Sequence, residues 1–352
     1  DLRRTSVPEV LTRWAELAAH TKGGIGAATQ WLNQKVRNLV AEDQTGEAMA
    51  WLETAETLAQ ALGGQLETAV TLGNRRLELA YRRVMESRHL KSFLERPEQI
   101  QPFKDLLDPK ASNNAWALHY IGVGGVGKTM LLRYITARLA PKLNIATCRI
   151  DFDYLSPDFP VRKPGQLLME LAEELRSHVP SARADDAFTD FEYQVIDLHE
   201  ALSDEPPPDY PLANINRPEF DRALRSFASA LKPLPKPIVL ILDTCEELTK
   251  LPPTGGFLTN VEATFTILER IHQECPEVRV VFAGRRLLAR SGCGWRAEEF
   301  SVVEGKKGLL PKEKPYLRLY EIRGFSNSVQ PGTPRSDVDR FFQENKQLEL
   351  SP

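Results

Sequence analysis

The sequence predicts an α/β protein: a parallel sheet with helices on both faces, preceded by an all-helical N-terminal region. Three observations carry this reading. Short apolar or β-branched runs recur after residue 110, at "AWALHYI" (115–121), "IATCRIDFD" (145–153), "PIVLILD" (237–243) and "VRVVFAG" (278–284). Helical patterns lie between them, and such alternation calls for a parallel sheet covered on both sides. Before residue 90, by contrast, apolar residues recur only at helical spacing.

In chain order, "VPEVLTRWAELAAH" and "AMAWLETAETLAQALGG" read as helices, the second capped by Gly63-Gly64. "TKGGIGAAT" between them reads as a glycine-rich turn. "LETAVTLGNRRLELAYRRVMESRHLKSFL" continues the helical region with basic residues on its outer face. In the α/β part the expected helices are "KTMLLRYITARLA", ended by Pro141, then "PGQLLMELAEELRSHV", "EFDRALRSFASAL" and "VEATFTILERIHQEC". The proline-rich "DEPPPDYPL" and "KPLPKP" read as loops or lids. "YLRLYEI" (316–322) adds a strand, and "GFSNSVQPGTPRSDVDRFFQENKQ" a loop and one more helix. The expected domains are a helical region at 1–90, an α/β domain at 91–325 and the start of a helical extension at 326–352.

Composition excludes several classes. The 352 residues carry a net charge of −3, which points to neither a nucleic-acid nor a membrane partner. No stretch approaches the roughly 18 apolar residues of a membrane helix. The four cysteines form no CxxC pair and no zinc spacing with histidine, which fits a reducing, cytoplasmic setting. The six histidines show no ligand spacing, and no serine nucleophile elbow is present. The chain begins at Asp1 rather than methionine, so it reads as an internal piece of a longer protein.

The chemistry lies in two stretches. Gly122, Val123, Gly124, Gly125, Val126, Gly127, Lys128 and Thr129 match G-x-x-x-x-G-K-[ST] in full, after a strand and before an amphipathic helix. Glycines let backbone N–H groups turn toward phosphate oxygens, and the helix N-terminus adds partial positive charge. Lys128 is expected to reach the terminal phosphates of a bound ATP or ADP, and the Thr129 hydroxyl to hold Mg²⁺. The second stretch, "LILDTCEEL" (240–248), ends an apolar run in Asp243 and then sets Glu246 beside Glu247. Three acids there are costly unless a cation meets them. Asp243 is the expected Mg²⁺ aspartate, and Glu246 or Glu247 the acid that orients an attacking water. "VVFAGRR" ends a third strand in Arg285 and Arg286, either of which could read a γ-phosphate.

Together these residues resemble the signal-transduction ATPases with numerous domains (STAND), a group that includes NACHT and NB-ARC proteins and is related to AAA+ ATPases. "GVGGVGKTMLL" is similar to their phosphate loop, which extends the nucleotide contacts to Met130. "LILDTCEEL" is similar to the NACHT pattern of apolar residues, Asp, two spacers and two acids. "FAGRR" resembles the sensor segment and puts the sensor on Arg285. "CRIDFDYLSPDF…GQLLMELAEELR" is similar to the strand and helix that follow the phosphate loop in bacterial members. "FLERPEQIQPFKDLL" resembles the segment whose backbone lies by the adenine, which implies contacts at Phe93 and Arg96, although Glu95 and Pro97 replace that segment's glycine and acid.

The resemblance covers residues 90–330. It implies a slowly hydrolysing switch: ADP holds a closed monomer, and a trigger sensed outside this chain permits ATP exchange and homo-oligomerisation that activates an attached effector. The winged helix and repeat sensor of such proteins do not appear here, which again fits a fragment. The chief alternative is an AAA+-like ATPase that remodels or loads nucleic acid, which the mild acidity disfavours. A scaffold with vestigial hydrolysis and a small-molecule kinase fit the intact Lys128, Asp243 and acidic pair less well.

Overall fold

Strand residues alternate between two apolar environments, and that alternation builds the fold. The computed structural model describes residues 24–62, 80–112, 114–155, 159, 163–179, 187–203, 212–249, 259–293, 312–327, 329 and 335–344. Within them β1 (Ala117–Ile121), β2 (Ala146–Asp151), β3 (Ile238–Asp243), β4 (Val278–Gly284) and β7 (Leu317–Glu321) form one sheet in the order β2-β3-β4-β1-β7, with every pair parallel. The short β5 (Arg290–Ser291) and β6 (Glu313–Lys314) pair separately.

On β3, Ile238, Leu240 and Leu242 join one apolar cluster while Val239 and Ile241 join the other, as a period of two requires. The first face is covered by α5 (Pro164–Arg176), α6 (Thr189–Ser203), α7 (Pro218–Ala230) and α8 (Thr259–Glu274), through residues such as Leu171, Phe191, Phe227 and Leu268. The second is covered by α3 (Pro97–Leu107) and α4, which starts at Lys128, through Phe103, Leu131, Leu132 and Ile135. The predicted α/β class with helices on both faces is therefore what forms. Because the strands are parallel, the carboxyl ends of β1, β2, β3 and β4 share one edge, where ligands of open α/β sheets bind.

Before the sheet, α1 (Gly24–Ala41) and α2 (Thr45–Leu62) form a helical pair. Leu32, Val36, Leu39 and Val40 pack with Ala48 and Leu52, and with Ala80 and Val84 from the helical residues 80–89. "VPEVLTRWAELAAH" and the Gly63-Gly64 cap lie outside the described residues. α9 (Asp337–Glu344) is the further helix expected near the C-terminus.

Two expectations are corrected. The glycine-rich "TKGGIGAAT" is not a turn from residue 24 on, because Gly24 begins α1. Each helical glycine costs about 1 kcal/mol against alanine, and the apolar stripe buried further along α1 outweighs that cost. Nor does Pro141 end its helix. α4 runs as Lys128–Tyr134, widens into a π-helical stretch at Ile135–Leu139 and closes at Ala140–Lys142. Pro141 comes just after the π-helical stretch, past the Ala140 N–H that bonds to the Ile135 carbonyl. The terminator is Asn144, left-handed at φ 51°. Its N–H bonds to the Pro141 carbonyl at 3.1 Å, and Ile145 N–H to the Ala140 carbonyl at 3.1 Å. These two bonds make a Schellman closure.

His119 on β1 is wholly buried, with neither ring nitrogen hydrogen-bonded, and its ring meets Phe282 edge-on at 5.9 Å. Burial, and then the charge of Lys128, push its pKa down to about 3. The unfolded chain therefore takes up this proton first. Its contribution to stability is complete above an unfolded value of about 6.5 and is lost as pH falls from there toward the folded value. His119→Leu is expected to remove on the order of 2 kcal/mol from the stability that the protein loses between about pH 8 and about pH 5. Urea unfolding at the two pH values measures this, and an unchanged loss would refute it.

Candidate functional site

The site starts where β1 runs out. Gly122 follows Ile121 so tightly that a Cβ there would stand 2.6 Å from the Ile322 carbonyl oxygen, so no larger residue fits. Its N–H reaches the Gly284 carbonyl at 3.3 Å, which ties the loop to the end of β4. Gly125 and Gly127 are left-handed, at φ 81° and 94°, where a side chain would be strained. The loop then delivers the chain into α4 with Lys128 and Thr129 in its first turn. Lys128 Nζ lies over its own loop, 2.7 Å from the Gly122 carbonyl and 2.9 Å from that of Val123. Its pKa is lowered, by burial first and then by Arg285, against the pull of Glu246 and Asp243.

Asp243 closes β3 at 2% exposure. Oδ1 accepts the Thr244 N–H at 3.0 Å, and the nearby Thr129 side chain favours the charged carboxylate. Oδ2 stands 3.3 Å from Arg149 Nη2 but makes no hydrogen bond. Burial raises the Asp243 pKa although Arg149 pulls it down. Thr244 is left-handed at φ 54°, which reverses the chain into the 3₁₀ turn Cys245–Thr249 that carries both glutamates.

Glu246 reaches across to β4. Its Oε2 accepts the Arg285 N–H at 3.1 Å, and Oε1 lies 3.2 Å from Arg285 Nε. Gly284 makes room, since a Cβ there would stand 2.9 Å from Glu246 Oε2. The Arg285 guanidinium lies over the phosphate loop, its Cζ 3.2 Å from where a Gly124 Cβ would be. Arg286 turns away and donates to the Thr249 hydroxyl at 3.3 Å. Of the two arginines, Arg285 thus stands at the loop. Of the two glutamates, Glu246 is paired with Arg285 and within electrostatic reach of Lys128, while Glu247 sits one residue further along the turn.

Phe93, Val126 and Met130 pack partly buried on the same apolar cluster beside the loop, with the Phe93 ring stacked 4.8 Å from that of Tyr134. Arg96 is spent on the protein itself. Its Nη2 donates to the Val126 carbonyl at 3.1 Å and Nη1 to the Arg323 carbonyl at 2.8 Å, and its charge lies 5.1 Å from the Phe325 ring centroid. It fastens the phosphate loop to the chain after β7.

Sequence reasoning passed over Arg149 and Asp151. β2 and β3 are in register so that Asp151 faces Asp243, which places Arg149 beside the buried acid. The signal was "CRID" ending its strand level with "LILD".

The donor set fits Mg²⁺. A hydroxyl and a buried carboxylate with an oxygen free of hydrogen bonds are hard ligands, and Mg²⁺ takes one or two such protein groups with water and phosphate oxygens completing its shell.

A family model described as AAA ATPase domain matches residues 92–255, from just before Phe93 to just beyond the acidic turn. A comparison with curated proteins gives no match. The fold, the phosphate loop and this match agree on a phosphate-loop ATP hydrolase, with residues 92–255 similar to an AAA ATPase domain.

Proposed function

We propose that this ATPase domain works as a slow nucleotide switch of the STAND kind, with ADP-to-ATP exchange governing homo-oligomerisation and an effector attached to the N-terminal residues 1–90. The observation that carries the reading is a direct tie between the phosphate-loop helix and those helices. Arg138, ten residues after Lys128 on α4, forms an ion pair with Asp43 and donates to the Val40 carbonyl at 2.6 Å, both just after or within α1. A change at the loop therefore has a path along α4 to the N-terminal region, as a two-state element requires. The trigger would be sensed outside this chain, and the setting would be the cytoplasm. Among the described residues no helix is long and apolar enough to cross a membrane.

In this reading the backbone of Gly122–Thr129 cradles the phosphates, Phe93 and Met130 flank the base, and the Arg96 clamp fixes the loop that does so. Thr129 and Asp243 would hold Mg²⁺, which when bound neutralises phosphate charge. Lys128 exchanges its two loop carbonyls for phosphate oxygens. Glu246 is the acid we assign to orienting the attacking water, and Arg285 meets the γ-phosphate from above Gly124. Because Glu246 and Arg285 hold each other, a γ-phosphate that draws Arg285 also releases Glu246, which makes the pair a sensor as well as part of the hydrolytic site.

The first test is the nucleotide released on denaturing the purified protein. Near-stoichiometric ADP is expected from the wild type and none from Lys128→Ala. An empty protein that turns over ATP steadily and is stimulated by nucleic acid would replace the switch with a remodelling ATPase.

Single-turnover assays divide the acidic pair. Glu246→Gln is expected to slow hydrolysis by about 100-fold or more while ATP binding persists, and Glu247→Gln by less than about tenfold. The reverse order would move the water-orienting role to Glu247.

A further inference from the structure

Arg149 belongs to two places at once. Its side chain is one-tenth exposed and meets three carboxylates: Glu86 Oε1 at 2.5 Å from Nη1, Asp243 Oδ2 at 3.3 Å from Nη2, and Asp151 Oδ2 at 3.8 Å from Nη2. Asp243 and Asp151 lie at the nucleotide edge of the sheet. Glu86 comes from the helical residues 80–89, whose Ala80 and Val84 are part of the apolar cluster of α1 and α2. Glu86 also stands 3.9 Å from Nε of Arg133, on the phosphate-loop helix. One carboxylate of the N-terminal region thus faces arginines on both elements that frame Asp243 and Thr129.

The two ends of this bridge are unequal. Glu86 makes a hydrogen bond with Arg149, whereas the contact with Asp243 is an ion pair without one, and Oδ2 is left buried and unsatisfied. A cation held by Glu86 in this way stabilises the Asp243 carboxylate without spending a hydrogen bond on the oxygen that a metal would use. The five charges Glu86, Arg133, Arg149, Asp151 and Asp243 sum to −1, so the cluster accepts a divalent cation without becoming strongly positive. Without Glu86, Arg149 would have only the two aspartates left, and closing on Oδ2 would make it a competitor for that site. A second cation beside Asp243 would in turn repel Arg149 toward Glu86.

We infer that Arg149 is a positioning residue for Asp243 whose charge is shared with Glu86, so that docking of the helical residues 80–89 sets the Mg²⁺ affinity of the nucleotide site and Mg²⁺-nucleotide tightens that docking in return. This rests on the nucleotide-binding reading above and deepens it. The two directions are one coupling free energy and must be equal.

The test is the Mg²⁺ concentration that half-saturates binding of a fluorescent ADP analogue to the full chain. Wild type, Glu86→Gln, Arg149→Gln, the double variant and Lys128→Ala are compared, with hydrogen exchange followed at residues 80–89. Glu86→Gln is expected to raise the Mg²⁺ midpoint about fivefold or more, and to abolish the slowing of exchange at 80–89 that Mg²⁺-nucleotide causes in the wild type. Once Arg149 is Gln, adding Glu86→Gln is expected to shift the midpoint no further. Glu86→Asp, which keeps the charge, is expected to restore most of the wild-type midpoint, separating this role from a loss of packing. Midpoints within about twofold of wild type in Glu86→Gln, whatever its thermal stability, would overturn the inference while leaving nucleotide binding intact. Wild type that binds no nucleotide, or binds no better than Lys128→Ala, would overturn the functional reading itself, and the inference with it.

Discussion

The site is organised around one buried carboxylate. β3 lies between β2 and β4 and is buried along its whole length, so Asp243 at its end has almost no access to water. A carboxylate in that position must find donors or cations or give up its charge. It finds a backbone N–H from Thr244 and a guanidinium from Arg149, with the Thr129 side chain close by. Burial still outweighs them, because the net shift of its pKa is upward. The parallel sheet creates this demand, and a bound cation would meet it.

The backbone around that carboxylate is bent to suit it. Thr244 adopts a left-handed conformation, at φ 54°, where a β-branched residue is strained by roughly 1–2 kcal/mol. The reversal seats Cys245 under the end of the strand, with its Sγ donating to the Leu242 carbonyl at 3.0 Å, and aims Glu246 at β4. Gly284 and Gly124 then clear the space in which Glu246 and Arg285 meet above the loop. A side chain at either glycine would press on that pair rather than on apolar packing, so these positions are constrained by the site and not by the core.

How much of this was legible follows from the range of each signal. The strands were readable because parallel strands buried on both faces are continuous apolar runs, and the phosphate loop because its glycines, Lys128 and Thr129 are contiguous. Asp243 and Arg285 could be named because each ends such a run. The helical start at Gly24 was misread because glycine content is local, whereas the packing of Leu32, Val36 and Val40 that sustains α1 is not. Pro141 was misread because a π-helical stretch leaves no pattern in the sequence, while the terminator Asn144 is an ordinary polar residue. The partners of Arg149 and the Arg96 clamp were beyond reach for a stronger reason. Glu86, Asp243, Val126 and Arg323 are brought near only by strand order and helix docking.

The contact between the helical region and the ATPase domain differs in kind from the cores on either side of it. Ala137 is the apolar residue of α4 that packs against the helical cluster. Around it stand polar ties: Arg82 and Arg83 on Glu174, Arg37 on the Ser177 carbonyl, Arg138 on Asp43, and Arg149 on Glu86. Pairs such as Arg82–Glu174 and Arg138–Asp43, each with one half-exposed partner, contribute at most about 1 kcal/mol. An interface made of polar ties, several of them buried, responds to charge, whereas one of buried leucines would be indifferent to it. Polar interfaces of this sort are where domains of one chain move against each other. Among these ties, the pair at Arg149 is the one that also touches the nucleotide edge through Asp243. A change of charge at the nucleotide site therefore acts on a charged contact that joins the helices to that site, which is the physical condition for a nucleotide to govern the position of the helices.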